Sequence, residues 1–406
     1  MFKTEKEIFE FFDNLNKDKT HYNSSNDICT PMGCVKEMID EIPEEFWNRE
    51  NIKILDCCAG NGNFPAYICQ KTSLSNIYFN EISPKRIENL KSYFGEEINL
   101  TCQDFLTFSK KEKYDLVVAN PPFAKFMTNG ERAAKNHSLS RDFLMKALEI
   151  VKENGYIVFI LPNNWMSFAD RNKLPSLLSQ YQFITINIEE CKKWFPKVGS
   201  SFTWFVLKKV PTFTETKIIN GYKIKDIQMA KIHCGTNYLP LYYNSFVESI
   251  FSKTIDEKNT KFKVETSSDL HKYTKKDYLQ DEEDEVYCYK LIHTPRQVCW
   301  SKKAHKYQDG WKVFISTTTN YETLIDCCGM TQSIAFIRCS SKEEAIAFQE
   351  ELNNPLYYFL IALTRYGNFN NERILQRLPR LNEVKLTEEE WNFIHYFNDI
   401  YYKNNI

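Results

Sequence analysis

The sequence predicts an α/β chain, a doubly wound seven-stranded parallel sheet followed by a C-terminal α+β region. Three observations predict it. Apolar strand-like runs alternate with amphipathic stretches from Ile52 to about Lys209, the mark of a parallel sheet covered by helices. Past Val210-Pro211 the rhythm breaks into shorter, irregular segments with an acidic run at Asp281–Glu285. The length of 406 residues, at about 150 per domain, allows two or three domains. The expected division is a first domain over 1–215 and a second over 216–406.

The strand candidates, in order, are Ile52–Asp56, Ile77–Asn80, Asn99–Cys102, Tyr114–Ala119, Tyr156–Leu161, Phe183–Ile188 and Thr203–Leu207. The clearest helix spans about Ser140 to Glu153: Phe143, Leu144, Ala147, Leu148 and Val151 recur at spacings of three and four, and Asn154-Gly155 ends it. Ahead of the sheet, the acidic amphipathic segment Lys3–Phe12 precedes Thr30-Pro31. There a Thr cap and a Pro at the first helical position open a helix through Met38 and Ile39.

With 43% hydrophobic, 26% charged and only 12 Gly residues, the composition is globular and excludes a disordered or collagen-like chain. Lys+Arg (52) and Asp+Glu (53) nearly cancel, so the basic surplus of many nucleic-acid binders is missing from the whole. It is uneven, however: residues 1–50 hold six Lys/Arg and twelve Asp/Glu, net −6 of a total of −1, which leaves +5 for the rest. The cysteines number thirteen, an odd count without C-x-x-C, and two adjacent pairs (Cys57/Cys58, Cys327/Cys328) lie in apolar runs. Met1–Glu10 is Lys- and Glu-rich, and no apolar run reaches about 18 residues. The expectation is a soluble, reduced, cytoplasmic protein with no membrane segment and no metal site.

Four strand ends carry chemistry. The first runs into Asp56-Cys57-Cys58-Ala59-Gly60-Asn61-Gly62, where small residues let backbone amides approach a ligand; any tight strand-to-helix turn also uses Gly. The second ends in Glu81, 25 positions after Asp56, where a carboxylate can accept both hydroxyls of a ribose. The third ends Asp104-Phe105, able to accept from a purine amine and pack on its ring, although a plain turn residue fits too. The fourth ends Asn120-Pro121-Pro122-Phe123. Two prolines fix the backbone and leave carbonyls without local donors, and Asn120 adds a side-chain oxygen. A planar ring bearing an amino group suits this turn: the ring stacks on Phe123, and Asn120 and the Pro121 carbonyl take its two hydrogens.

With these motifs in this order, residues 28–209 resemble the gamma-class, TaqI-type adenine-N6 DNA methyltransferases, which use S-adenosylmethionine. The resemblance implies a class I, Rossmann-like methyltransferase domain followed by a target-recognition domain. Thr30-Pro31 looks like the motif that holds the methionine part of the cofactor. Asp56, Cys58, Gly60 and Gly62 look like the cofactor loop, Glu81 and Ile82 like the ribose site, and Asp104 and Phe105 like the adenine site. Asn120, Pro121, Pro122 and Phe123 match the catalytic tetrapeptide, in which many relatives carry Tyr instead of Phe123; Asn120 and Pro122 also border the cofactor, and Phe143 is its apolar wall. Phe195, in Trp194–Thr203, aligns with the aromatic residue that contacts the flipped base, while edge packing explains it equally simply. Relatives often have Pro where this chain has Cys57.

Two basic, aromatic-rich stretches follow. Between Val286 and Asn320, six Lys/Arg, among them Arg296, Lys302 and Lys303, face one acid, Asp309; between Ile361 and Leu381, Arg365, Arg373, Arg377 and Arg380 face Glu372. These stretches, Lys125 and Arg132 after the tetrapeptide, and Lys197 are the candidate DNA contacts, against an ordinary solvated surface. The implied partner is double-stranded DNA, bound by a monomer, with a cognate restriction endonuclease as a candidate second partner. Methylation of adenine in RNA, or of glutamine in protein, uses similar motifs and is the alternative.

Overall fold

The computed structural model describes residues 4–17, 29–109, 111–123, 139–169, 172–196, 198–199, 201–212, 214–272, 276–318 and 320–403. It divides into two compact units, one of 1–165 with 173–237 and one of 166–172 with 238–406.

The first unit opens with α1 (Glu5–Leu15), started by a reciprocal cap between Thr4 and Glu7. Then come α2 (Met32–Asp40), α3 (Glu44–Trp47), β1 (Ile54–Asp56), α4 (Asn63–Ile68), β2 (Ile77–Asn80), α5 (Pro84–Phe94), β3 (Asn99–Thr101) and β4 (Tyr114–Ala119). They are followed by α6 (Leu139–Ile150), β5 (Val151–Pro162), α7 (Leu174–Leu178), β6 (Tyr181–Ile188), β7 (Phe202–Pro211), β8 (Thr216–Asn220) and β9 (Asp226–Ala230). The strands make one sheet in the order β3-β2-β1-β4-β5-β7-β6-β8-β9. β1 to β5 pair in parallel, and β7 inserts antiparallel between β5 and β6.

All seven expected strands are present, and the sheet adds β8 and β9, a hairpin placed at sequence level beyond the boundary. The division falls at Asn237/Tyr238 rather than 215/216, because β8 pairs with β6 and extends the sheet. The helix expected through Glu153 stops at Ile150, since Val151 bridges Tyr114 and begins β5. Asn154 at φ 61° and Gly155 then form a bulge, and a Cβ on Gly155 would lie 2.9 Å from the Asp115 carbonyl. Strand cores such as Trp204, Phe159 and Phe205 are fully buried, each such side chain contributing roughly 1.5–3 kcal/mol.

The second unit holds α8 (Ser245–Thr254) and two four-stranded sheets. Their strands are β10 (Glu265–Thr266), β11 (Leu279–Gln280), β12 (Tyr289–Thr294), β13 (Gln297–Ser301), β14 (Lys312–Ser316), β15 (Thr323–Asp326), β16 (Gly329–Met330) and β17 (Ile334–Arg338). Helices α9 (Lys342–Leu352), α10 (Pro355–Leu363), α11 (Glu372–Leu375) and α12 (Glu388–Lys403) complete an α+β arrangement. Among the described residues no helix is long and apolar enough to cross a membrane, and no cluster of His, Cys, Asp or Glu could hold a metal ion.

Candidate active site

Parallel registry brings four strand ends to one edge. Asp56 lies level with Phe79 of β2 and Val118 of β4, and Asn80 level with Thr101 of β3. The loops leaving β1, β2, β3 and β4 therefore share the carboxyl edge of the sheet, where ligands bind in such folds.

The β1 loop is stitched to its neighbours. Cys57 N–H donates to Val118 O (3.3 Å) and Ala59 N–H to Asn80 O (2.8 Å). Glu81 accepts from Gly60 N–H (2.8 Å) with one carboxylate oxygen and from Ser83 N–H (2.9 Å) with the other. Gly60 and Gly62 sit at φ 56° and 90°, and a Cβ on Gly62 would come 2.6 Å from the Phe94 ring. Asp56 is wholly buried; one carboxylate oxygen accepts from Cys58 N–H at 3.3 Å and the other has no partner. Burial, with the Glu81 charge nearby, pushes its carboxyl up to about 8 despite the Cys58 hydrogen bond.

The tetrapeptide begins where β4 ends. Asn120 Nδ2 donates to Thr30 Oγ1 at 3.0 Å, and Cys58 Sγ contacts Asn120 O at 3.4 Å. The first bond turns the amide so that its oxygen faces away from Thr30. The expected role of Thr30 as the cap is corrected: Pro31 is the N-cap of α2, Asp13 accepts from Met32 N–H (3.2 Å), and the Thr30 hydroxyl accepts from Asn120 instead. Contact with the Cys57 thiol, followed by burial, pushes the Cys58 thiol up, and burial pushes up Cys57. Neither is a thiolate nucleophile.

Pro121 is buried, Pro122 exposed and Phe123 half-buried. Asp104 caps the turn Phe105–Thr107 through Leu106 N–H (3.0 Å), and Phe105 packs on Phe143 with ring centroids 5.2 Å apart. Ile82 is 63% exposed. Phe195, at 4% exposure, belongs to the core: its ring lies 5.1 Å from Phe202, which in turn lies 5.5 Å from Phe123. The half-open ring at this place is Phe123, and Phe195 supports it through Phe202. Trp194 lies on α2, its Nε1 donating to Glu37 (2.9 Å), with Gly33 so close that a Cβ would stand 2.1 Å from the indole.

Sequence reasoning missed Asn80. Its buried amide donates to Cys57 O and Gln103 O (3.1 Å each) and accepts from Thr101 Oγ1 (3.0 Å), tying three strand ends together. The available signal was an Asn in an apolar strand directly before Glu81. Asn63, donating to Thr30 O at 2.8 Å, was missed likewise.

The basic stretches of the second unit are partly compensated by carboxylates. Arg296 pairs with Glu322, Lys290 with Asp326 (2.6 Å), and Arg380 with Glu351 (2.8 Å). Lys312 is buried, donating to the carbonyls of Asp309 and Gly310, and burial holds its ammonium below the usual lysine range. Lys302 and Lys303 are exposed, Lys303 over the Tyr278 ring. Arg365 bonds Asn368 O (3.0 Å) and Arg373 bonds Gln376 (2.9 Å). Lys125, Arg132 and Lys197 lie outside the described residues.

The fold is that of a class I S-adenosylmethionine-dependent methyltransferase domain. Residues 45–195 match the family model described as Eco57I restriction-modification methylase. The chain is 27% identical over 142 residues to the Type II methyltransferase M.AccI of Acinetobacter calcoaceticus, covering 31% of this chain and 26% of that one. It is 31% identical over 121 residues to the tRNA1(Val) (adenine(37)-N6)-methyltransferase of Aliivibrio fischeri, covering 27% and 52%. The chain thus spans about a quarter to a half of the length of these relatives. Among solved structures, the DrdV-DNA complex superposes with a TM-score of 0.57 at 12% identity, over 91% of this chain and 56% of that one. The ATP-dependent Type ISP restriction-modification enzyme LlaBIII bound to DNA gives 0.52 at 13% identity, over 92% and 40%.

The cofactor of this domain is S-adenosylmethionine, and the residues fit it. A buried carboxylate with an oxygen lacking a partner, beside a second carboxylate, suits a ligand that brings hydroxyl and ammonium donors and positive charge.

Proposed function

We propose that this chain is a site-specific DNA methyltransferase that transfers the methyl group of S-adenosylmethionine to N6 of an adenine extruded from duplex DNA. The observation that carries it is the Asn120–Phe123 turn at the end of β4, its amide oriented by Thr30 beside the β1 loop.

Thr30, Asp56, Gly60, Glu81, Phe105 and Phe143 would hold the cofactor. S-adenosylmethionine held there would supply an electrophilic methyl carbon on a sulfonium, with a neutral thioether as the leaving group. The chain's task is the nucleophile. The adenine N6 lone pair is delocalised into the ring; Asn120 Oδ1 and the Pro121 carbonyl, accepting its two hydrogens, draw the nitrogen toward tetrahedral geometry and aim the lone pair. Positive charge grows on N6 as the bond forms, so these fixed dipoles bind the transition state more tightly than the ground state. Phe123 stacks on the extruded base, whose removal from the duplex costs a few kcal/mol. The proton leaves N6 for water after methylation, when it is acidic, so no general base is required.

Support for DNA is the second unit, which lies outside the family match, together with two DNA-bound structures that superpose over nine-tenths of the chain. The tRNA methyltransferase relatives favour a second reading, adenine N6 in RNA. Modification-sensitive sequencing of DNA from cells expressing the chain separates them: N6-methyladenine in one short motif is the expected result, and unmodified DNA refutes the proposal.

A further inference from the structure

The second unit presents one bare aromatic ring on a firmly held loop. Phe369 is 64% exposed, more than any other large apolar side chain among the described residues. Its neighbours Gly367 and Asn368 are exposed too, and a Cβ on Gly367 would meet nothing within 4 Å. Yet the loop between α10 and α11 is anchored on both sides of the ring. Tyr366 OH donates to Leu239 O (2.8 Å), and the Arg365 guanidinium to the Asn368 and Thr318 carbonyls (3.0 and 3.4 Å). Asn370 donates through N–H to Thr317 O (2.8 Å) and through its amide to Ser316 O (2.7 Å). Asn371 donates to Phe168 O (3.1 Å) while its side-chain oxygen caps α11. A loop ordered this thoroughly could have turned its phenyl inward, and this one does not.

The charge beside it is the second observation. Arg296 and Arg380 are each neutralised by a carboxylate. Arg365 instead spends its hydrogen bonds on neutral oxygens, and Arg377 bonds the Thr260 hydroxyl (2.5 Å) while its Nε has no partner. Arg365, bonded to the carbonyl of Asn368 next to the ring, meets no carboxylate among the described residues. An exposed apolar ring beside a guanidinium that no carboxylate neutralises is the chemistry that inserts between base steps while holding an adjacent phosphate.

We propose that the 365–371 segment is a wedge for duplex DNA: Phe369 enters the base stack, and Arg365 holds the backbone beside it. This rests on the DNA reading above. It is tested with the full-length protein and a duplex carrying the mapped target, in which 2-aminopurine replaces each purine in turn. Wild type brightens the probe at the step that Phe369 opens. Phe369→Ala returns that position to the level of free duplex and weakens binding about tenfold. Melting temperature, cofactor affinity and the salt slope stay unchanged, since a phenyl releases no counterion. Phe369→Trp restores unstacking. Arg365→Ala lowers the salt slope by about one and keeps the unstacked step. Phe369→Ala that unstacks and binds like wild type overturns the wedge alone, and marks the ring as a contact for another protein. Wild type that binds no duplex overturns the DNA reading and the wedge with it.

Discussion

The carboxyl edge of β1–β4 and the basic stretches of the second unit are both dense in polar side chains, yet they are built on opposite plans. At the sheet edge, polar groups are held by their neighbours: buried Asn80 and Glu81 by backbone of Cys57, Gln103, Gly60 and Ser83, and half-buried Asn120 by the Thr30 hydroxyl. In the second unit several cations lie near the surface and meet acids distant in sequence, as Arg296 meets Glu322 and Lys290 meets Asp326. The first plan fixes geometry for chemistry. The second removes charge, so a basic run there marks a cation only where no acid reaches it.

The contrast breaks most sharply at Asn120. Asn120→Ala is expected to lower methyl transfer at least about a thousandfold, as loss of a fixed transition-state dipole does, while cofactor affinity by calorimetry stays within about threefold. Next comes the bond that orients it. Thr30→Val is expected to cost roughly ten- to a hundredfold in kcat, with Thr30→Ser close to wild type; equal rates for the two would reduce Thr30 to packing.

Asp56 sharpens the comparison through pH. Its folded carboxyl titrates near 8, well above the unfolded value of about 3.9. The folded protein therefore binds more protons than the unfolded one between those values, and this group's contribution to stability falls as pH rises through that window. A cationic ligand draws the proton off, so cofactor affinity is expected to rise between pH 6 and 8, by up to about tenfold per unit, and then level. Asp56→Asn should flatten the profile; an unchanged slope would remove Asp56 from the cofactor site.

The smallest effects belong to the second unit. Arg380→Ala, which breaks a two-pronged pair with Glu351 under Phe262 and Phe348, should destabilise the fold by about 1–2 kcal/mol in denaturant melts. Arg296→Ala, exposed and already paired, should change duplex affinity less than about threefold. A tenfold loss there would show that Glu322 yields its partner to phosphate.

This difference also decides what could be read in the sequence. The strand ends were legible because backbone chemistry is local: Gly60 and Gly62 at positive φ, Pro121-Pro122 after an apolar run, and an acid at the next strand end all act within a few residues. Thr30 was misread as a cap, because its partner Asn120 lies 90 positions away. Phe195 was placed in the right segment, but only three-dimensional packing shows that Phe202 stands between it and Phe123. β8 and β9 were read into the second domain, since a two-strand extension of a sheet carries no linker signal. Counting acids within Val286–Asn320 found Asp309 alone, whereas Glu322 and Asp326 arrive from β15 and the turn before it.

One measurement bears on the whole account: tritium transfer from labelled S-adenosylmethionine into duplex DNA, total tRNA and protein offered side by side to wild type and Asn120→Ala. The account predicts label in N6-methyladenine of duplex DNA, present with wild type and lost in Asn120→Ala. Label entering tRNA instead, or entering DNA equally with the variant, would contradict it.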